Sequence, residues 1–341
     1  MDIGPVREII LLGGGEILRR LVTWANDLQI KVKVITSPRH ASEELDGKSL
    51  RDFLENTNTD FIVVEDIQTH EVEKFVGGSV NSLYLSLSAA WIFKDETIKS
   101  LFQNRLINCH GTRLPNNRGG GGFTWQILMG NRFGFSLIHK VDAGIDTGQI
   151  ISYEEFLYPA SLRTPRDFEI FYLAKTFTFL TKFIVAVRER SLSFDVMKQS
   201  EYFASYWPRL NSEINGWVNW SWTSADIDKF ICAFDDPYPG AQTFINNQKV
   251  HLRGASLTTQ DGFFHPFQSG IIYRVSDSWI CVATHGATLI LENVYNENGK
   301  SILKSLKPGD RFITPESYLS QSLARGFYTP NTFKLEFYQT D

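Results

Sequence analysis

The sequence predicts an α/β fold, a doubly wound and mostly parallel sheet, followed by a smaller all-β domain. Two observations carry that prediction. Across residues 8–110, short apolar runs alternate with stretches of helical spacing, and strands alternating with helices build parallel sheets. From about residue 191 the chain changes to short runs broken by Gly, Asn and Asp, the texture of antiparallel strands joined by tight turns. The expected domains are 1–200, the α/β unit; 201–300, the β unit; and 301–341, an extension packing on the β unit.

"EIILLGG" is a short apolar run closed by glycine and reads as a buried strand. "EILRRLVTWANDL" follows, with Ile17, Leu18, Leu21, Val22 and Ala25 on one helical face. "IKVKVIT", "DFIVVED" and "SLYLSLS" are further strands, and "RLINCH" is a short one. "FGFSLIHKV" and "GQIISYEEF" read as two strands around the polar turn "DAGIDT". The long run from Thr164 to Arg190 is a core helix, opened by a capping threonine and a proline at its first position. "SADIDKFICAF" is a helix within the aromatic stretch that precedes the β domain, and the tail from Leu306 is read as one short helix with flanking coil.

Composition narrows the function classes. The 341 residues are 43% hydrophobic and 21% charged, with a formal net charge of −4, so no broad positive field draws in nucleic acid or an anionic membrane. Three scattered cysteines, Cys109, Cys232 and Cys281, suggest neither a disulfide framework nor a zinc site. The histidines show no metal-ligand spacing, so no metal is expected. The N-terminus has no signal-peptide pattern, and no apolar stretch is read as reaching the roughly 20 residues of a membrane-spanning helix. A cytoplasmic protein with no membrane partner is expected.

"INCHGTRLPNNRGGGGFTW" concentrates the chemistry. Asn108 and His110 are two apart on a strand, so both project from one strand end. An imidazole can move a proton near neutral pH, and an amide can donate to a developing oxyanion, which together suit acyl or formyl transfer. A polar strand end with a backbone-capping histidine has the same spacing. In "DAGIDTGQ", Asp142 and Asp146 either orient that imidazole or simply make a tight turn. His139 either lines the same cleft or is a satisfied core histidine. Gly119 to Gly122 permit close backbone approach or positive φ, and Arg118 is either an anion contact or a surface charge. Neither this run nor "LLGGGEIL" has the spacing of a phosphate loop or a dinucleotide fingerprint.

Taken together, these pieces resemble the folate-dependent formyltransferase family, which spans methionyl-tRNA, glycinamide-ribotide and sugar-nucleotide N-formyltransferases. "INCHGTRLPNNRG" looks like that family's Asn-x-His-Pro-Ser-x-Leu-Pro-x-x-Arg-Gly loop, and "HKVDAGIDTGQII" like its second signature. "INGWVNWSWTSADIDKFICAFDDPYPGAQTF" is similar to the module that follows the catalytic domain in the tRNA and sugar enzymes. The resemblance covers roughly residues 5 to 295. It implies a Rossmann-like catalytic domain that binds no dinucleotide, an oligonucleotide-binding-like (OB-like) barrel behind it, N10-formyltetrahydrofolate as formyl donor, and a homodimer. It implies catalytic roles for Asn108, His110 and Asp146. It places the pterin on Leu87, Ser88, Ala89 and Trp91 and on Val141, Asp142, Ala143 and Gly144, and the acceptor near Arg118, Gly119 and Gly120. Three departures stand out: Gly111 where the family usually has Pro, Thr112 where Ser is common, and Gly122 where Pro is frequent.

Residues 205–341 carry 11 Lys and Arg against 13 Asp and Glu, a net of −2, which argues against a tRNA-binding C-terminal module. "YWPRLNSEINGW" and "AFDDPYPGA" look more like the sugar-nucleotide enzymes. The expected acceptor is therefore an amino sugar on a dTDP or UDP carrier, in lipopolysaccharide, O-antigen or other surface-glycan synthesis. Methionyl-tRNA, another small amine, or a folate-binding protein without transferase activity are the alternatives.

Overall fold

The computed structural model describes residues 1–77, 81–331 and 333–336. Its N-terminal half is built on seven strands: β1 (Glu8–Gly13), β2 (Lys31–Thr36), β3 (Asp60–Val63), β4 (Ser82–Leu87), β5 (Leu106–His110), β6 (Phe133–Lys140) and β7 (Ile150–Leu157). They lie in the order β7-β6-β5-β4-β1-β2-β3. The five strands from β5 to β3 are parallel, while β6 runs antiparallel to both of its neighbours. The chain reverses its direction of growth between β1 and β4, and sheets of this kind bind ligands outside the carboxyl ends of the strands near such a reversal.

The apolar runs are explained by burial on both faces. Ile9 and Leu11 of β1 enter one core with Leu83, Leu85 and Ile107, and Ile10 and Leu12 enter another with Ile35, Tyr84 and Leu106. The first core is closed by helix α1 (Glu16–Asp27), through Leu18, Leu21, Val22 and Ala25, and by helix α2 (Pro165–Glu189). Thr164 caps α2 as its sequence predicts, in a reciprocal pair with Asp167.

Helix α2 corrects one expectation. By length and composition it is apolar enough to cross a membrane, with an 18-residue window of mean hydropathy 1.6. The fold accounts for this apolarity. Phe179, Leu180, Phe183, Ile184 and Val187 fill the sheet core, and Phe168 fills the core of the C-terminal domain. One helix serving two cores needs apolar residues on more than one stripe.

After helix α3 (Ser224–Ala233) come β8 (Ala241–Ile245), β9 (Gln248–Thr258), β10 (Ile272–Val275), β11 (Ile280–Thr284), β12 (Ala287–Asn296) and β13 (Phe312–Ile313). These form an antiparallel sheet in the order β10-β11-β12-β9-β8-β13. Its ends meet: Ile271 bridges Arg311, and the Ile272 and Phe312 N–H groups donate to Asp310 and Gly270. The sheet thus closes into the expected small barrel. Because β13 is a barrel strand, the boundary expected at residue 300 falls inside the domain. The tail holds the expected short helix, Glu316–Gln321, but its flanks are not coil: Arg325–Tyr328 pairs with Phe333–Glu336 in a hairpin. Residues 332 and 337–341 of the expected extension lie outside the described residues.

Candidate active site

Strand β5 ends in the middle of the sheet, with Ser86 of β4 opposite Asn108 on one side and His139 of β6 opposite it on the other. Directly opposed residues share a face, as do residues two apart on a strand. Asn108, His110 and His139 therefore converge at one strand end. Asn108 Nδ2 lies 3.0 Å from His139 Nε2, and His139 Nδ1 lies 2.7 Å from the Lys140 carbonyl. The carbonyl requires a proton on Nδ1, and Nε2 is the ring atom turned to the Asn108 amide.

His110 is held just as specifically. Its Nε2 donates to the Asn117 carbonyl at 2.9 Å and meets the Thr112 hydroxyl at 2.7 Å, and that hydroxyl donates to the same carbonyl. This arrangement leaves Nδ1 as the ring's proton-accepting nitrogen. Nδ1 faces Asp146 Oδ1 at 3.8 Å, and the same oxygen is 3.6 Å from His139 Nε2. The second carboxylate oxygen of Asp146 accepts from Gly119 N–H at 2.9 Å. Burial alone would raise the Asp146 pKa, but His110, His139 and the Gly119 N–H together hold its carboxyl well below the usual carboxylate range. Asp146 is thus an ionised group beside two imidazoles. The ligating atoms of His110, His139 and Asp146 lie within 4.8 Å of one another, a spacing at which such groups could also hold a metal ion.

The two aspartates of the turn have different tasks. Asp142 accepts from Gly144 N–H and from Thr147 Oγ1, so it makes the turn. Asp146 is the one that faces His110 and His139. The segments expected to hold a pterin flank Asn108 at the ends of β4 and β6. Ala89, Trp91 and Val141 pack into one apolar cluster. Ser88 has φ +55° and is exposed, whereas Leu87 is buried and its carbonyl accepts from Gly14 N–H. Ala143 and Gly144 are exposed on the turn.

Arg118 departs from expectation. Its side chain is buried and spent within the protein, forked onto Glu201 at 2.7 and 3.0 Å with Nε donating to Gln199. It is therefore corrected from an acceptor contact to a structural group. Gly119 and Gly120 stay beside the site. Arg118–Gly119 pairs in parallel with Tyr206–Trp207, and a Cβ on Gly119 would meet the Trp207 carbonyl at 2.3 Å. With φ +98°, that position demands glycine. The same segment approaches Gly120, where a Cβ would touch Arg209 at 3.0 Å, while a Cβ on Gly122 would touch Thr112 of its own loop at 3.0 Å. The Gly111 departure has a cause as well, because the Tyr172 ring sits 3.1 Å from where a Cβ would stand.

Sequence reasoning left His139 open between the cleft and the core, and missed Gln199 and Ser205–Trp207 altogether. The antiparallel register of β6 on β5 decides the first. The others lie about 90 residues along the chain from the loop they touch, and no local pattern signals them. A separate cleft of about 400 Å³ lies at the domain junction, where Arg163 is paired with Asp228 and Arg132 donates to three carbonyls.

Residues 212–305 match the formyl transferase C-terminal domain. That match lies C-terminal to the two motif loops assembled around Asn108, His110 and Asp146. The chain is also similar in sequence to methionyl-tRNA formyltransferases. It is 27% identical over 188 residues to the methionyl-tRNA formyltransferase of Clostridium tetani, spanning 55% of this chain and 58% of that protein. It is 28% identical over 196 residues to that of Syntrophus aciditrophicus, spanning 57% and 60%. The alignments thus span about three-fifths of the length of these relatives. Among solved structures, an N-formyltransferase from Helicobacter canadensis in complex with folinic acid and dTDP-3-aminofucose superposes with a TM-score of 0.63 at 22% identity, covering 85% of this chain and 100% of that one. A sugar 3N-formyl transferase with dTDP and 5-N-formyl-THF gives 0.63 and 22%, covering 85% and 98%. A methionyl-tRNA formyltransferase from Clostridium thermocellum gives 0.52 at 20%, covering 75% and 95%. These likenesses establish the formyltransferase fold.

Proposed function

We propose that this protein transfers a formyl group from N10-formyltetrahydrofolate to the amine of a nucleotide-linked amino sugar, on a dTDP or UDP carrier. The observation that carries the transfer chemistry is the convergence of Asn108, His110 and ionised Asp146 at one strand end. The half-buried apolar wall of Ala89 and Val141 against Trp91 fits a flat heteroaromatic donor, with main-chain groups of Ser88 and of Val141 to Gly144 available to its edges. When bound, N10-formyltetrahydrofolate supplies the carbonyl carbon that the amine attacks.

This chain's residues do the rest. The Asn108 amide donates to the carbonyl oxygen as it gains charge. His110 accepts the amine proton at Nδ1, because Nε2 is held by Asn117 and Thr112, and would return it to the departing donor nitrogen as the old formyl C–N bond breaks and tetrahydrofolate leaves. Asp146, fixed by Gly119 N–H, stabilises the resulting imidazolium. His139 holds the Asn108 amide in place.

The sugar-nucleotide acceptor is favoured by the net −2 charge of residues 205–341, which lacks the cationic surplus that tRNA phosphates require. It also draws on the cations around the loops at the carboxyl ends of β1 and β2. Arg39 and Arg209 lie close enough to His40 that, with burial first, they push its pKa down to about 3. Arg39 is paired with Glu43 and His40, so a diphosphate bound there would compete with the Glu43 carboxylate. An N-formyltransferase of this fold was solved in complex with dTDP-3-aminofucose, and a sugar 3N-formyl transferase of this fold was solved with dTDP, which supports this reading. Methionyl-tRNA is the second reading, favoured by the sequence relatives.

One assay separates them. The protein is incubated with the formyl donor and, in turn, dTDP- and UDP-linked 3-amino and 4-amino deoxysugars or charged initiator tRNA. Formylation of a nucleotide sugar with no change in the tRNA is expected. Formylation of the tRNA alone would overturn the sugar reading.

A further inference from the structure

The turn that carries Asp146 is held by a residue outside it. Asp146 has φ +54°, a left-handed conformation that a non-glycine residue keeps only when its surroundings enforce it. The enforcing group is on the segment that leaves the N-terminal domain. Gln199 Nε2 donates to the carbonyl of Asp146 at 2.8 Å and to that of Gly148 at 2.7 Å. Its Oε1 accepts from Arg118 Nε at 3.1 Å. A single carboxamide thus uses both N–H groups and its oxygen on the two loops of the site.

The clamp is anchored at both ends. Before it, Met197 and Ile150 exchange both main-chain hydrogen bonds, at 2.8 and 2.9 Å. After it, Glu201 forks onto Arg118, and Ser205 and Trp207 accept from the N–H groups of Arg118 and Gly120. Gly119, whose N–H meets the Asp146 carboxylate, is therefore set by the same segment that sets the Asp146 main chain. The carboxylate is aimed from its own backbone and from its hydrogen-bond donor, and both lead back to residues 197–207.

We propose that Gln199 is a positioning residue for the transfer: by bridging the Asp146–Gly148 turn to Arg118, it holds the Asp146 carboxylate against His110 and His139. This rests on the transferase reading above. The donor N–H groups are the working part, so the isosteric but donor-poor Gln199→Glu is as damaging as Gln199→Ala. Glutamate would set a carboxylate against two carbonyl oxygens. Neither change reaches the apolar donor wall of Ala89, Trp91 and Val141, so the loss falls mainly on kcat rather than on KM for the formyl donor.

The test combines steady-state kinetics of Q199A and Q199E with carbon-13 carboxyl titration of Asp146 by NMR, which needs no substrate. Expected are a 10- to 100-fold fall in kcat in both variants (about the range found when orienting partners of a site are removed), with donor KM within about twofold. The Asp146 titration moves up toward the ordinary carboxylate range, because the carboxylate parts from the imidazoles while burial remains. An Asp146 titration unchanged in both variants would overturn the proposal whatever the kinetics. If the wild-type protein transfers no formyl group yet Q199E shifts the Asp146 titration, the positioning role stands and the transferase reading falls.

Discussion

The two halves of the site are held by different means. Asn108 and His110 stand on a central strand, Asn108 paired to both β4 and β6 and His110 to β6. Asp146 stands on a turn in a left-handed conformation, aimed by Gly119 and by a glutamine more than 50 residues further on. A strand end is rigid because its neighbours pair it throughout. A turn has no such ladder, and its geometry is borrowed from whatever packs on it. Residues of the first kind can be changed with their frame intact, whereas the second half of the site can be lost by mutations that touch no reacting atom.

The sharpest way to test the strand half is His110→Ala. Turnover should fall about 10³-fold, in the range for a lost acid–base group, while donor binding measured by isothermal titration calorimetry persists. Retained turnover would remove His110 from the mechanism.

On the turn half, Asp146→Asn should cost about 10²-fold in kcat, since the amide keeps the shape but not the charge. It also carries a pH signature. A carboxyl held below its ordinary 3.8 stabilises the fold fully above that pH and progressively less as pH falls toward its folded value. Wild-type protein should therefore out-melt the variant most at neutral pH. The gap should close below about pH 4; a gap independent of pH would contradict the ionised Asp146.

Gly119→Ala probes the junction of the halves without touching a reacting group. The added Cβ meets the Trp207 carbonyl at 2.3 Å in a backbone with φ +98°. We expect a cost of about 1–3 kcal/mol, read as a lower denaturation midpoint together with reduced turnover. A fully stable and active variant would show that the 205–207 pairing is dispensable.

The smallest effect is expected at Thr112→Val, which removes one hydroxyl from His110 Nε2 but leaves the Asn117 carbonyl. About 1 kcal/mol, or roughly fivefold in kcat, should be lost. A hundredfold loss would mean that the hydroxyl itself moves a proton.

Much of the fold was legible. Strands β1 to β5 appear as apolar runs because both faces of the sheet are covered, and Thr164-Pro165 marks the start of α2 because capping chemistry is local. Where the reading failed, two distant parts had met. The tail from Leu306 hides a barrel strand because two residues pairing with Phe244 and Ile245 leave no periodicity of their own. Helix α2 passes as membrane-spanning by composition because it feeds two cores. Arg118 looked like an anion contact because nothing near it in sequence reveals Glu201.

By itself, then, the sequence determined the residue types and the local frame: a strand that puts Asn108 and His110 on one side, and a turn with two aspartates and its own glycines. Short-range geometry suffices for that, since a strand's period of two and a turn's φ preferences are properties of neighbouring residues. Only the tertiary structure showed which aspartate faces the imidazoles and which merely makes the turn, that His139 joins them, and that residues 197–207 pack on the loop. Those outcomes depend on register between strands and on contacts across 50 to 90 residues of chain, where the pairing energy is made between partners that no local window contains.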